Sequence, residues 1–248
     1  SLSEGSNYHL PIIRAMRQML LNMARPSNKP TLLQGDEIKN LESFLLGLDR
    51  FLLDATRFMS LHLCGFFCDW EQAKELALYS ERHGSGSKPS YYATISEFWR
   101  ALTWINLYER RASYKWKSRA VNSVKQLQSE VDKGLMNRSV FVFILQAELN
   151  GRVNQRPPEE VQLLYNQAIM EAEGTGWNHF AAFTNERAGD YFAGKARFTT
   201  AQIYFQRAIR GYTEWRAMGK VAHISSVYQG IMTNIPVDTR NLSMDFSI

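Results

Sequence analysis

Apolar and small residues recur at helical spacing along most of this chain, most clearly between residues 187 and 208. The recurring positions are Gly189, Phe192, Ala196, Phe198, Ala201, Phe205 and Ala208. Because residues three or four apart share one face of an α-helix, the pattern predicts two helices, one containing Phe192 and one containing Phe205. The small residues allow two backbones to approach closely, and the phenylalanines fill the space between them. The alternation is typical of a tetratricopeptide-type helical hairpin.

Similar groups of anchoring residues occur earlier in the chain. The anchors are Ala73, Ala120, Val161 and Ala201, which are 47, 41 and 40 residues apart. This period is longer than the about 34 residues of a regular tetratricopeptide repeat. Each hairpin would leave an apolar face uncovered, so successive hairpins must stack. The chain is therefore predicted to be all-α, an antiparallel helical-hairpin array of about ten helices curved into a short superhelix.

The predicted array occupies residues 68–232, and residues 8–67 are predicted to form N-terminal helices that pack on it. Within that N-terminal region one helix is expected at residues 8–24. Another is expected from an N-cap at Asp36 to about Phe67, with Gly47 as a candidate break. Residues 233–248 lack periodicity and are predicted to form an irregular tail. Residues 1–7 lack an initiator methionine and are interpreted as a disordered remnant of cloning.

The composition favours a helical chain without a membrane span or a secretory leader. Of its 248 residues 45% are hydrophobic, and only 7 are proline and 15 glycine. A spanning helix needs about 20 consecutive apolar residues, and no such run is present. The first residues do not form a basic and then apolar leader. With only two cysteines no disulfide framework is expected, so we predict a cytoplasmic protein that does not associate with membranes.

Few residues are grouped as a catalytic or metal site requires. Cys64 and Cys68 are four apart with His62 nearby, but a structural zinc ion needs four ligands and the other histidines belong to different elements. Two buried thiols beneath Trp70 are the simpler interpretation. The segment at residues 84–88, Gly-Ser-Gly-Ser-Lys, lacks the spacing of a phosphate-binding loop and is predicted to be a linker. We expect no catalytic residues, no metal and no cofactor.

The net charge of +5 is concentrated in one short basic patch. It consists of Arg110, Arg111, Lys115, Lys117 and Arg119, with Tyr108, Tyr114 and Trp116 between them. Cations interleaved with aromatic rings can bind phosphates and stack on bases. The alternative is a turn between helices whose cations lie in water and whose rings point inward. A nucleic-acid footprint usually needs a wider stripe of charge, so we favour that alternative.

Four stretches resemble the degenerate tetratricopeptide-like helical region of large multidomain signalling proteins with STAND-type ATPase or sensor-kinase modules. They are Phe98–Leu102, Leu164–Ile169, Asn185–Phe192 and Tyr212–Val221, within a segment that covers about half of the chain. The chain departs from that family at Ala196, which replaces the usual turn glycine, and at Arg216, where glycine usually follows the tryptophan. The resemblance implies a regulatory or interaction role, in a fragment that lies beside a nucleotide-driven domain.

In such an array the first helix of each hairpin lines the concave face, which gives a set of candidate binding residues. They are Trp99, Arg100, Trp104, Phe183, Glu186, Arg187 and Asp190. Glu186 and Asp190 predict a locally acidic groove, which disfavours the Lys/Asn/Arg clamp by which some members hold a terminal carboxylate. The two tryptophans are either anchors for a partner or core residues, and the second role is the commoner one.

We therefore expect a non-catalytic interaction or regulatory scaffold. Its partner would be a protein or peptide segment, an adjacent domain of the parent chain or a second copy in a homo-oligomer, bound on the concave face. The basic patch would orient that partner. Two alternatives stay open: a small-ligand sensor enclosed by the array, and a nucleic-acid-binding module that uses the basic patch.

Overall fold

The computed structural model describes residues 10–83 and 91–233, and within these ranges the chain is all-α. The helices are α1 (Leu10–Ala24), α2 (Leu41–Leu46), α3 (Arg50–Phe66), α4 (Trp70–His83), α5 (Tyr91–Arg111), α6 (Tyr114–Asp132), α7 (Ser139–Glu148), α8 (Pro158–Gly174), α9 (Asn178–Gly194), α10 (Phe198–Glu214), α11 (Met218–Val227) and α12 (Gln229–Met232). The predicted fold class is confirmed. The predictions for residues 1–7, for the 84–88 linker and for the tail after residue 233 lie outside the described residues.

Consecutive helices pair as stacked hairpins: α3 with α4, α5 with α6, α7 with α8, and α9 with α10. The second helices of these hairpins begin 44, 44 and 40 residues apart. Each carries one of the predicted anchors fully buried against its partner helix, in the order Ala73, Ala120, Val161 and Ala201. Helix α3, which the sequence pattern assigns to the N-terminal helices, is thus the first helix of the first hairpin. Helix α11 starts a fifth unit with the short α12.

The pairing of α9 with α10 depends on Gly189. A Cβ atom at this position would lie 2.7 Å from the ring of Phe205, closer than real Cβ atoms approach a neighbour. Phe205 and Ala208 are themselves fully buried in α10. The packing of the Phe205 ring against the backbone of α9 therefore requires a residue without a side chain at position 189, as the alternation of small and large residues predicts.

One type of turn recurs at the ends of five helices. In each, a residue with positive φ is followed by a backbone N–H that donates to the carbonyl five residues back, as in a Schellman motif. The positive-φ residues are Cys68, Gly134, Gly176, Ala196 and Arg216, with φ of 59°, 95°, 78°, 56° and 65°. The two departures from the family pattern therefore keep the glycine-type conformation without glycine. The stacking of the flanking helices imposes this geometry on side chains that disfavour it.

The segment between α1 and α3 differs from the prediction in its first part. Gly47 does end a helix, α2, but Asp36 caps none, because Asn40 accepts from the backbone N–H of Ser43 at the start of α2. Asp36 instead pairs with Arg25. The loop before α2 is held against α1 by the buried Gln18 side chain, whose Oε1 accepts from the backbone of Glu37. These polar contacts satisfy the loop backbone and prevent an early helix start.

Replacement of Ala196 by glycine should stabilise the protein. Glycine adopts φ of 56° without the steric penalty of a Cβ atom, so we expect a gain of about 0.5–1 kcal/mol in the free energy of unfolding by urea denaturation. Gly176→Ala should lower the free energy of unfolding by a similar amount. A Cβ there meets no neighbour, so only the positive φ of the backbone disfavours alanine. Gly174→Ala, at a position without positive φ, is the control and should not be destabilising.

Candidate functional site

The first helices of the hairpins converge along one axis, and their side chains form three layers. On α9 the layers are marked in turn by Phe183, by Glu186 with Arg187 and Asp190, and by Ala193. The first layer is aromatic, the second is ionic, and the third is the open mouth of a cavity. The concave interior is therefore a funnel closed at one end.

The aromatic layer closes the inner end of the funnel. Its rings come from α3, α5, α7 and α9, and centroids of neighbours lie 5.2 Å apart for Trp99 and Phe183 and 5.0 Å apart for Phe141 and Phe180. Trp99 and Phe183 are fully buried. Neither is therefore available on an exposed concave surface. For Trp99 the structure shows the core role, the commoner of its two predicted roles, and Phe183, predicted as a binding residue, is also a core residue. The first helices approach so closely that a Cβ at Gly65 would lie 2.2 Å from the ring of Trp99, which leaves no open groove at this level.

Trp104 and Arg100 also do not lie on a binding surface. Trp104 is 1% exposed and stacks on Trp116 from α6, with ring centroids 5.2 Å apart. Arg100 forms an ion pair with Glu97 one turn away on the same helix. Both residues therefore serve the packing of α5. Trp104 takes the core role, the commoner of its two predicted roles, and Arg100, predicted as a binding residue, pairs with Glu97 and does not line the cavity.

Beyond the aromatic layer the funnel opens as a cavity of about 1000 Å³. Its walls come from α5, α9 and α11, from the α3–α4 turn and from the loop at residues 27–32. Eight side chains that carry a formal charge line the cavity, four of them cationic and four anionic: Lys29, Asp69, Glu109, Arg110, Arg152, Glu186, Arg187 and Asp190. Three of the predicted residues, Glu186, Arg187 and Asp190, thus lie where the spacing from Gly189 placed them.

The floor of the cavity is a buried ion pair between α7 and α9. Glu148 is fully buried and receives two hydrogen bonds from Arg187, from Nε to Oε1 and from Nη2 to Oε2, both 2.9 Å long. Tyr165 of α8 donates a third at 2.9 Å. Arg187 Nη2 also donates to Asn106 of α5 at 2.9 Å. The pair is bidentate and its partners are hydrogen-bonded, which a stable buried ion pair requires.

Arg152 extends this network towards the mouth of the cavity. It lies in a single π-helical turn, Leu149–Val153, that continues α7. Its guanidinium donates to Glu148 at 2.9 Å, to Glu109 at 2.7 Å and to Asp190 at 2.9 Å, and so joins three helices. We name the set Asn106, Glu109, Glu148, Arg152, Tyr165, Arg187 and Asp190 the ionic network. Isolated π-turns occur often at functional sites, and here the turn orients Arg152.

The ionic network holds Glu148, Arg152, Arg187 and Asp190 in their charged forms. Burial alone would raise the pKa of Glu148 and of Asp190, but Arg152 and Arg187 outweigh it and lower both, that of Asp190 to about 2. Burial alone would lower the pKa of Arg187, but Glu148 raises it well above its ordinary value. These four side chains therefore stay ionised across the physiological pH range.

A second buried pair neutralises Glu186. Lys220 of α11 donates to Glu186 Oε1 at 2.7 Å, and Tyr212 donates to Oε2 at 2.9 Å. Every carboxylate on the concave face of α9 is thus matched by a cation from another helix. The expectation of a locally acidic groove was wrong, because the sequence spacing identifies Glu186 and Asp190 but not the partners that the fold brings to them.

The basic patch is divided among separate interactions. Arg111 pairs with Glu71 at 2.8 Å and Arg119 with Glu81 at 3.0 Å, both across neighbouring helices. Lys115 lies over the ring of Trp116, and Lys117 lies over Tyr108. Arg110 alone among these cations lines the cavity. The patch does not present a continuous basic stripe, and its Trp116 is buried rather than available for stacking on a base.

The two thiols differ in their surroundings. Cys64 is fully buried, as the interpretation of a buried thiol beneath Trp70 predicts, whereas Cys68 is partly exposed at the cavity wall. His62 accepts a hydrogen bond from Trp99 Nε1. Across residues 10–83 and 91–233, no three His, Cys, Asp or Glu side chains are grouped so as to hold a metal ion. In the same ranges, none of the helices has the length and apolarity needed to cross a bilayer.

Three important residues of this interior were missed by the sequence analysis: Glu148, Arg152 and Lys220. Glu148 had a usable signal, since it is a carboxylate at the end of the apolar run from Val140 to Ala147. A charge on an apolar helix requires a buried partner. Arg152 and Lys220 carried no comparable signal, because ordinary surface cations occupy similar positions.

No protein-family model, no curated protein and no solved structure matches this chain. The resemblance to the tetratricopeptide-like region of signalling proteins therefore stays a prediction based on the four quoted stretches. The function of the chain is accordingly inferred from the geometry of the funnel.

Loss of the buried carboxylate should destabilise the fold severely. Glu148→Gln leaves Arg152 and Arg187 buried without their shared counter-charge, so we expect a loss of about 3–5 kcal/mol in the free energy of unfolding by urea denaturation. Glu159→Gln is the matched control, because its carboxylate pairs with Arg197 at the exposed surface and its loss should change the free energy of unfolding far less. Equal losses in the two variants would contradict a special role for the buried pair.

The depressed pKa of Asp190 predicts a defined pH dependence of stability. Its pKa falls from 3.8 to about 2 on folding, so its contribution is present above pH 4 and is lost as the pH falls towards 2. The wild-type protein should exceed Asp190→Asn in stability at pH 7, and the difference should shrink between pH 4 and pH 2. Urea denaturation at several pH values measures this. A difference that does not vary with pH would show that the carboxylate charge is unimportant.

Proposed function

We propose that this chain is a non-catalytic interaction module whose cavity receives a short segment of a partner protein or of a neighbouring domain. The observation that carries the proposal is the shape of the concave interior, a cavity of about 1000 Å³ with one closed end. The walls are supplied by several hairpins, so a bound segment would contact the whole array at once.

The closed inner end of the funnel favours a short extended segment or a chain terminus as the ligand, and it disfavours a helix lying along the groove. An α-helix with its side chains is about 10–12 Å across and would need an open channel. The aromatic layer of Trp99, Phe180 and Phe183 blocks such a channel. An extended segment needs less width and can hydrogen-bond through its backbone to polar walls.

The state of the ionisable groups supports recognition over catalysis. Glu148, Asp190, Arg152 and Arg187 are held in their charged forms by one another. A general acid or base needs a pKa near the working pH, and mutual pairing moves these groups away from it. Such a network is suited to keeping the walls rigid, which reduces the ordering cost of binding.

Two cations at the rim can orient an incoming segment. Lys29 and Arg110 line the cavity and are exposed, and they make no ion pair with the described residues. Their charges are available to steer an approaching partner, which affects the association rate more than the affinity. In this proposal Arg110 is the part of the basic patch that contacts the ligand.

We also propose that the module has a regulatory role. This part of the proposal rests on the resemblance to signalling proteins. In those proteins a helical array beside a nucleotide-driven domain relays interactions rather than catalysing reactions. A nucleotide-binding domain in the sequence that flanks this chain in its parent protein would support a regulatory role.

Blocking the cavity tests the proposal. Gly194 ends α9 at the mouth, and a Cβ there meets no other atom, so Gly194→Trp places an indole at the entrance without disturbing the core. Gly174→Trp is the matched control, since Gly174 ends α8, also has open space around it, and does not line the cavity. Peptides selected from a displayed random library on the wild-type protein would be the probes.

We expect the selected peptides to bind Gly194→Trp at least about tenfold more weakly than the wild type, and Gly174→Trp with unchanged affinity, by fluorescence anisotropy. Equal binding to all three proteins would place recognition elsewhere on the surface. Failure of the library to yield any binder that responds to the blocked entrance would also count against a peptide site.

A small polar ligand is the second candidate, and the same closed end favours it. Ligand sites commonly enclose about 300–1000 Å³, and this cavity of about 1000 Å³ lies at the upper limit. A metabolite that raises the melting temperature of the wild type and of Gly174→Trp, but not of Gly194→Trp, would support this function. A metabolite screen without such a compound would leave the peptide proposal preferred.

A further inference from the structure

Helix α11 is the first helix of the last unit of the array. Its first turn contacts the N-terminal helices α1 and α3. Lys220 in this turn is 1% exposed and reaches across the funnel. Its ammonium donates to Glu186 Oε1 at 2.7 Å and also to the backbone carbonyl of Phe66, at the end of α3. It lies over the rings of Phe67 and Tyr212 at 5.1 and 5.8 Å. One side chain thus joins α3, α9 and α11.

The neighbouring residue makes a second contact of a different kind. A Cβ at Gly219 would lie 2.5 Å from the carbonyl oxygen of Arg25 and 2.7 Å from those of Asn22 and Met23. These carbonyls are at the C-terminal end of α1. The first turn of α11 is therefore packed backbone to backbone against α1, with no room for a side chain.

The position of Lys220 is unfavourable for α11 by itself. A cation in the first turn of a helix opposes the dipole of that helix, whereas the carbonyl ends of α1 and α3 attract it. Lys220 therefore stabilises α11 only when the helix is docked on the N-terminal helices and on Glu186. The interaction favours closure of the array and not formation of α11.

The same helix forms one wall of the cavity. His223 and Val227 of α11, and Tyr228 after it, line the cavity, and the His223 ring packs edge-on against Phe67 in the α3–α4 turn. Movement of α11 away from α1 and α3 would open that wall from the side. Release of α11 from α1 and α3 would therefore open the array and give access to the cavity in the same movement.

We propose that Gly219 and Lys220 form a latch that joins the two ends of the array and controls access to the cavity. The inference rests on the proposed function of the cavity as the binding site. With the latch closed, a ligand reaches the cavity only through its mouth. Release of α11 exposes the ionic network and lets a longer segment enter.

Cys68 is a natural reporter of the latch. It lies in the cavity wall, with its sulfur 3.8 Å from Glu186 Oε1, while Cys64 is fully buried. Because Cys68 is partly exposed with the latch closed, an increase over the wild-type rate at which a disulfide reagent such as DTNB labels Cys68 in the full chain reports opening of the wall. Cys68→Ser identifies the signal.

The electrostatic and conformational effects of Lys220→Met on this rate have opposite signs. Burial and Glu186 raise the pKa of Cys68 to about 11, and Lys220 lowers it. Loss of Lys220 without movement would therefore raise the pKa further and slow the labelling, because the thiolate is the reacting form. Opening of the latch should instead accelerate it by at least about tenfold, since one partner of a buried ion pair has been removed.

Gly219→Ala tests the latch without a change of charge, and we expect it to accelerate labelling in the same way. Lys125→Met is the control, because Lys125 is an exposed lysine of the outer helix α6, and its rate should equal that of the wild type. Rates in Lys220→Met and Gly219→Ala at or below the wild-type rate would overturn the proposal. If Lys220→Met loses its helical circular dichroism, Gly219→Ala alone decides. Because no peptide is involved, a negative result leaves the binding proposal to the Gly194→Trp comparison.

Discussion

The bidentate ion pair between Glu148 and Arg187 is the interaction on which the interior of this protein depends. A carboxylate without solvent contact is tolerated only when its lone pairs are occupied, and Arg152, Arg187 and Tyr165 occupy those of Glu148. These partners come from three helical elements. Their geometry sets how far α7, α8 and α9 lie from one another, because a shift of any one of them would leave a buried charge without a partner.

This constraint also explains why the funnel has a cavity at all. Apolar walls would be drawn together or filled by larger side chains, as happens in the layer of Trp99, Phe141 and Phe180. Walls formed by paired charges cannot close in this way, because closer approach would break the hydrogen bonds that compensate their burial. The change from aromatic to ionic side chains along the first helices therefore marks the level at which the interior opens to water.

The sequence was sufficient to predict the hairpins but not the contacts that their side chains make across the funnel. Periodicity and the small residue at Gly189 predicted α9 and α10, since both depend on residues within one hairpin. The pairing of Lys220 with the carbonyl of Phe66 joins residues 154 apart, and no local pattern encodes it. Trp99 and Trp104 were ambiguous because helical spacing identifies a shared face but not whether that face is covered. Their burial depends on how tightly the superhelix is wound.

The winding of the array also determines which kind of site it can offer. A loosely wound array of hairpins presents an open concave groove, and a ligand then lies across several first helices. Here the first turn of α11 reaches α1 and α3. Gly65 leaves room for the ring of Trp99 against α3, and Gly219 permits backbone contact with the end of α1, which a larger residue would prevent. The concave side is thereby narrowed to the half-open cavity lined by α5, α9 and α11. The same periodic pattern with a side chain at either glycine would favour a more open array, so these two positions, more than the repeat itself, separate an enclosed site from an exposed surface.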